Sequence, residues 1–289
     1  MNTPHANIAI PVDLTNPGQF FACCGLLELA DRLWPGAEGW FDGASLQIAG
    51  EITLESILTT VKQFMVSNTM TPAQNSRLQE LSAMKKSERN DTLEREKTSL
   101  ESLRRELPIT LSGRCNLCID WFCDDFAGGS RFKTWAGQQS VLAIARAMHR
   151  GIGAARIESE STMWGSVRDI GLPFNFDSDL GGQGSALDIG FSFDPLAGSE
   201  TTRIEGTCKP ALELLCFIGL QRFRPREIAG QNRFVYVAWS RPLSPCVASA
   251  VVCQAVPTPG QTFEFQLLYR TKYLKSFLPA QPYQGERDE

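Results

Sequence analysis

With 289 residues, 43% of them apolar, the chain is long and hydrophobic enough to bury a substantial core. Its net charge of −4 excludes a protein that coats nucleic acid by bulk charge, and its nine scattered cysteines do not suit a secreted disulfide scaffold. No stretch approaches the roughly 20 apolar residues of a membrane span, so no membrane contact is expected. The opening Met1–Asn7 lacks the basic and apolar pattern of a secretory leader, which makes the cytoplasm the expected location. Charge is also uneven. Residues 1–72 hold seven carboxylates against Arg32 and Lys62, whereas 203–275 hold ten cations against four carboxylates. An acidic half facing protein and a basic half facing an anion are the expectation.

In chain order, Ile8–Val12 reads as a short strand, with Pro11 favouring a sheet edge. Thr15-Asn-Pro-Gly18 then opens a helix that is apolar over most of its circumference from Phe20 to Leu33. Gly25 inside it is unfavourable by about 1 kcal/mol against Ala unless a sheet or helix approaches closely. Two short strands are expected near Trp40–Phe41 and Leu46–Ile48. A second helix is expected over 53–66 on the stripe Leu54, Ile57, Leu58, Val61, Met65. From about 73 to 107 the composition turns polar and charged. Leucines recur at helical steps, which predicts a helical insertion broken near Asn90-Asp91. Beyond it, strands are expected at 109–122, 186–193, 201–207, 233–239, 247–253 and 262–270. Helices are expected at 138–150, with Gly151 as its stop, and at 208–223. Strands and helices without regular alternation predict a single α+β domain over 1–289, with a mixed or mostly antiparallel sheet and packed helices.

Two segments carry candidate binding chemistry. Arg131-Phe-Lys-Thr-Trp-Ala-Gly-Gln-Gln-Ser140 sets cations, an aromatic and two amides before a core helix. Arg131 and Lys133 could neutralise phosphate, Trp135 could stack on a base, and Gln138 and Gln139 could hydrogen-bond. The bland alternative is a loop with one buried Trp. Gly219-Leu-Gln-Arg-Phe-Arg-Pro-Arg226 adds Arg222, Arg224 and Arg226 around one aromatic, though cations also suit a helix C-terminus for structural reasons.

Catalytic chemistry is sparse. The only histidines are His5, in the N-terminal tail, and His149, expected in the last turn of a helix. Cys115 and Cys118, three apart on an expected strand, point to opposite faces and do not form a zinc site. Gly181–Ser185 lacks the lysine of a phosphate-binding loop and reads as a turn. Asp120, Asp124 and Asp125 lack the spaced partners of a metal nuclease. No catalytic residue, metal or cofactor is therefore expected, with a metal-dependent nuclease on those aspartates kept as an alternative.

Four segments carry a family resemblance: Asn16–Trp34, Phe132–Ser140, Ser185–Asp194 and Gly219–Pro225. Together they resemble the accessory subunits of type I-G (formerly I-U) CRISPR systems. The opening helix also looks like the start of large subunits from related systems. The resemblance implies a non-catalytic component of a Cascade-like, guide-RNA effector complex in antiviral defence. It also implies crRNA or target DNA and other Cascade subunits as partners. A protein adaptor recruiting the helicase–nuclease is the alternative role.

Overall fold

The computed structural model describes residues 4–68, 70–106, 109–119, 141–154, 160–169, 172–173, 207–228, 232–270 and 273–285. The N-terminal elements are β1 (Ile8–Pro11), α1 (Pro17–Leu33), β2 (Glu38–Asp42), β3 (Ser45–Ala49), α2 (Leu54–Lys62) and β4 (Met65–Asn68). A helical pair follows, α3 (Pro72–Ala83) and α4 (Asp91–Glu106), then β5 (Ile109–Ser112), β6 (Asn116–Ile119), α5 (Val141–Ala154), α6 (Glu160–Asp169) and β7 (Leu172–Pro173). The chain continues through β8 (Thr207–Cys208), α7 (Pro210–Arg222), β9 (Arg226–Ile228), β10 (Arg233–Trp239) and α8 (Pro245–Val252). It ends in β11 (Gly260–Arg270), β12 (Tyr273–Phe277) and β13 (Gln281–Pro282). The strands form antiparallel sheets ordered β1-β3-β2, β4-β5-β6, β7-β8 and β12-β11-β10-β9, with β13 paired to β11. The expected α+β class holds, and Pro11 does sit on an edge strand.

The helix α1 forms where the sequence predicts it. Asn16 caps it by accepting the Gln19 N–H at 3.2 Å, and Pro17 occupies the first turn, where its missing donor is harmless. Its apolar surface is buried on nearly every side because two sheets and a helix share it. The Phe20 ring stacks on Phe41 of β2 at 5.2 Å and on Tyr236 of β10 at 4.3 Å. Polar ends of buried aromatics tie the layers: Tyr236 donates its hydroxyl to Leu14 O and Trp239 Nε1 donates to Gly39 O, both at 2.6 Å. The connected buried core runs from Ile8 to Ala280.

Gly25 is explained by the third neighbour. A methyl group on it would lie 2.0 Å from the Leu215 carbonyl oxygen of α7. Gly219 of α7 mirrors the arrangement, since its added Cβ would lie 2.0 Å from the Phe21 carbonyl oxygen of α1. Two glycines thus allow the helix backbones to touch, at the expected propensity penalty.

Several expectations are corrected. The second helix stops at Lys62 rather than 66. Met65, which extends its stripe by chance, instead opens β4 and is 65% exposed, while Val66 turns inward. The single strand over 109–122 is a hairpin, β5 and β6, turning at Gly113-Arg114-Cys115. The expected strand at 247–253 is helix α8. Its valines favour a strand, but Ser244-Pro245 starts a helix and Ala248, Val251 and Val252 bury one face of it. Gly151 does not stop α5, which continues to Ala154. A Cβ there would meet Pro210 Cγ at 2.7 Å, so Gly151 admits the start of α7. In β11, Phe263, Phe265 and Leu267 are buried as the alternation predicts. Glu264, assigned to the polar face, is also buried, under an ion pair with Arg233 and a 2.9 Å hydrogen bond from Gln281 Nε2. The strand expected at 186–193 and most of that at 201–207 lie outside the described residues.

The charged insertion forms the helical pair α3–α4, broken at Asn90-Asp91 as expected. A Thr71/Gln74 capping box starts α3. Arg77 grips Glu96 of α4 through two hydrogen bonds of 2.8 and 2.9 Å and holds Glu80 at 3.1 Å. Arg89 closes the turn, donating to the Leu81 and Met84 carbonyls at 2.6 and 2.8 Å and to Glu94 at 2.6 Å.

Candidate nucleic-acid interface

Arg131, Lys133, Trp135, Gln138 and Gln139 lie outside the described residues, as do Asp120, Asp124, Asp125 and Gly181–Ser185. The second basic segment is described, and its three arginines do different things. Arg222, in the last turn of α7, is half-buried with Nε 2.8 Å from Glu28 Oε2. Arg226 donates its Nε to Gln254 Oε1 at 2.7 Å, tying the start of β9 to the turn that follows α8. Arg224 is exposed. The aromatic between them, Phe223, is fully buried and stacks on Trp239 at 6.3 Å, with its N–H closing α7 on the Gly219 carbonyl. The segment is therefore part packing device and part surface.

Around Arg222 the structure assembles a charged cluster that the sequence does not reveal. Glu28 of α1 is 3% exposed and is compensated from both sides, by Arg222 and by Arg32 Nε at 2.7 Å from Oε1. The Arg222 contact is an ion pair without hydrogen-bond alignment, so Oε2 is neutralised by charge rather than by an aimed donor. Next to it, the Arg114 guanidinium at the β5–β6 turn lies 4.3 Å from the centre of the Trp34 ring, a cation–π contact at the end of α1. Burial pushes the neighbouring Cys115 thiol up, partly offset by the charges of Arg32 and Arg114. A cavity of about 370 Å³ opens here, with Glu28, Arg32, Asn116, Ile119, Gln221 and Arg222 in its wall.

The Glu28–Arg32 pair has a local signal, four residues apart on one helix face. Arg114 and Trp34 are eighty positions apart in sequence, and only the fold joins them. Among the described residues no group of three metal-ligating side chains exists. His149 lies inside α5 rather than in its last turn, and its Nε2 donates to Val61 O at 2.7 Å, a tie between two helices. Cys115 lies in a turn and Cys118 is exposed on β6. Burial holds the thiols of Cys23, Cys24 and Cys216 well above their ordinary range, which makes them inert core groups. No helix among the described residues is long and apolar enough to cross a membrane. The chain matches no family model, no curated protein and no solved structure.

Proposed function

We propose that the chain is a non-catalytic subunit of a type I-G CRISPR guide-RNA effector complex, contacting the backbone of crRNA or target DNA. The observation that carries this reading is the wall of the 370 Å³ cavity. Ile119, after which the chain enters 120–140, shares that wall with Gln221 and Arg222. Two of the four segments behind the family resemblance, Asn16–Trp34 and Gly219–Pro225, also pack on one another through Gly25 and Gly219.

In this reading Arg131, Lys133, Trp135, Gln138 and Gln139 supply most of the contacts, Arg224 adds an exposed cation, and Arg222 and Arg226 hold the surface in shape. The test is binding of labelled RNA and DNA oligonucleotides to the full chain across a salt series. Lys133→Ala combined with Arg224→Ala should weaken binding and lower the salt slope by about 2, one for each phosphate no longer neutralised. Retention of nucleic acid with unchanged affinity and slope in the double variant rejects the site assignment.

A protein-adaptor role, recruiting the helicase–nuclease, is favoured by one separate observation. The α3–α4 pair is braced by its own arginine–carboxylate contacts, with α4 packed chiefly on α3, as an arm offered to a partner would be. An isolated chain with no measurable nucleic-acid affinity, which nonetheless captures the helicase–nuclease through residues 72–106, supports that role instead.

A further inference from the structure

We infer that the surface where the ends of α1 and α7 meet the β5–β6 turn is a binding site for a phosphate-class oxyanion, centred on Arg32, Arg114 and Arg222. Arg32 and Arg114 carry no sequence signal for such a role; the fold alone sets Arg32 in one wall with Arg222 and lays Arg114 over Trp34 at the end of the same helix.

The geometry leaves donor capacity unspent. Arg32 and Arg222 contact Glu28 through Nε, and their terminal nitrogens have no partner among the described residues. Arg114 is exposed and stacked on Trp34, which holds its plane while leaving its nitrogens unpaired among the described residues. Among the described residues, the one neutralising carboxylate sits behind the cations. The Glu28 side chain is 5% exposed, against 41% for Arg32 and 34% for Arg222, so an arriving anion meets guanidinium and not carboxylate.

Charge favours the same conclusion. Among the described residues, the three guanidiniums are set against Glu28 and the C-terminal ends of two helices, each end equivalent to about half a negative charge, which leaves a balance of about +1. Arg32 and Arg222 share the cavity wall, and Arg114 stands on the turn that leads into Asn116 of the same wall. Several donor forks suit a phosphate better than a carboxylate, because phosphate offers peripheral oxygens in three directions. The 370 Å³ cavity gives room for such a group, being far larger than the roughly 30 Å³ of one water. Asn116, exposed on its wall, adds an amide.

The phosphate belongs either to a nucleic-acid backbone or to a free ion; in the first case the inference rests on the nucleic-acid reading above, and the experiment separates the two. The full chain is titrated with labelled single-stranded RNA and, separately, with inorganic phosphate at constant ionic strength, the latter followed by thermal shift. The variant is Arg32→Gln with Arg114→Ala. The Arg32 side chain is 41% exposed and Arg114 is exposed, Arg222 remains to compensate Glu28, and a native-like melting curve of the unliganded variant checks the fold. Expected is an RNA affinity about fivefold to tenfold weaker, a salt slope lower by about 2, and loss of the phosphate-induced shift. Arg114→Lys alone should fall between variant and wild type, since it keeps the charge without the fork. RNA binding that the variant leaves unchanged, with no phosphate shift in the wild type, overturns the site while leaving the nucleic-acid reading standing. A phosphate shift abolished by the variant, with no RNA binding at all, upholds the site and removes the nucleic-acid reading. Absence of both overturns the inference.

Discussion

The crossing of α1 with α7 and the pairing of α3 with α4 are both helix–helix contacts, made by opposite means. At the crossing, glycines remove the side chains so that backbone meets backbone, and the surrounding surface is apolar and buried. In the arm, Arg77 and Arg89 bridge two largely exposed helices, with only Leu78 and Leu81 buried on α3. The glycine contact itself tolerates no added atom and contains no titratable group, the Glu28–Arg222 ion pair lying toward the ends of the same two helices. The second tolerates substitution and responds to protons and salt. Rigid and adjustable joints are thus built from the same secondary structure, and the difference lies in which atoms touch.

The sharpest way to break this contrast is at the glycines. Gly25→Ala or Gly219→Ala places a methyl group 2.0 Å from a backbone carbonyl oxygen, which no side-chain rearrangement relieves. Either should destabilise the protein by about 3 kcal/mol or more, measured by denaturant unfolding. A destabilisation below about 1 kcal/mol in both would mean that the helices can separate at little cost.

Arg89→Ala comes next. It strips two carbonyls of their donor and Glu94 of its partner, with an expected effect of about 1–2 kcal/mol. Hydrogen exchange should quicken across 72–106 and stay unchanged in α1 and α7. Quickening throughout the core would show that the arm is no separate unit.

The smallest effect is the pH response of the Arg77–Glu96 pair. Its hydrogen bonds to Arg77 hold the Glu96 carboxyl below the ordinary carboxylate range. Because the folded-state value is depressed, its stabilisation is complete above the unfolded-state value, about 4.3, and is lost as pH falls through the lower folded value. Arm protection in the wild type should therefore decline below about pH 4, and the decline should shrink in Glu96→Gln. Identical acid profiles for the two proteins would remove the pair from the account. Raising salt at neutral pH should weaken the same contact while leaving the glycine crossing untouched.

Legibility in the sequence divides along the same line. The helix α1, the need for a close neighbour at Gly25, the arm with its break at Asn90-Asp91, and α7 can all be read locally, because caps, periodicity and a misplaced glycine are local signals. The identity of the neighbour, Gly219, cannot, since the two positions share no pattern until they are superposed. Sequence and structure part where local preference and tertiary context disagree. The valines of α8 favour a strand but serve a buried helical face, and Met65 continues a helical stripe only by coincidence. At the candidate site, the arginines of 222–226 are visible as charge, but not the division of labour among them. Glu28 shows its pairing with Arg32 by their four-residue spacing, but gives no sign that Arg222 joins them.

The reciprocal glycines also bear on synthesis. The surface of α1 is apolar almost all round, and its tightest partner begins only at Pro210. A nascent chain emerging at roughly 5–20 residues per second therefore carries this helix, or the segment that becomes it, without its matching backbone groove for about 10–40 s. The joint that is most rigid in the finished molecule is the one that translation completes late. Through that interval the N-terminal segment is a natural client for chaperones, and co-expression with ribosome-associated holdases is the condition under which this chain should be most soluble.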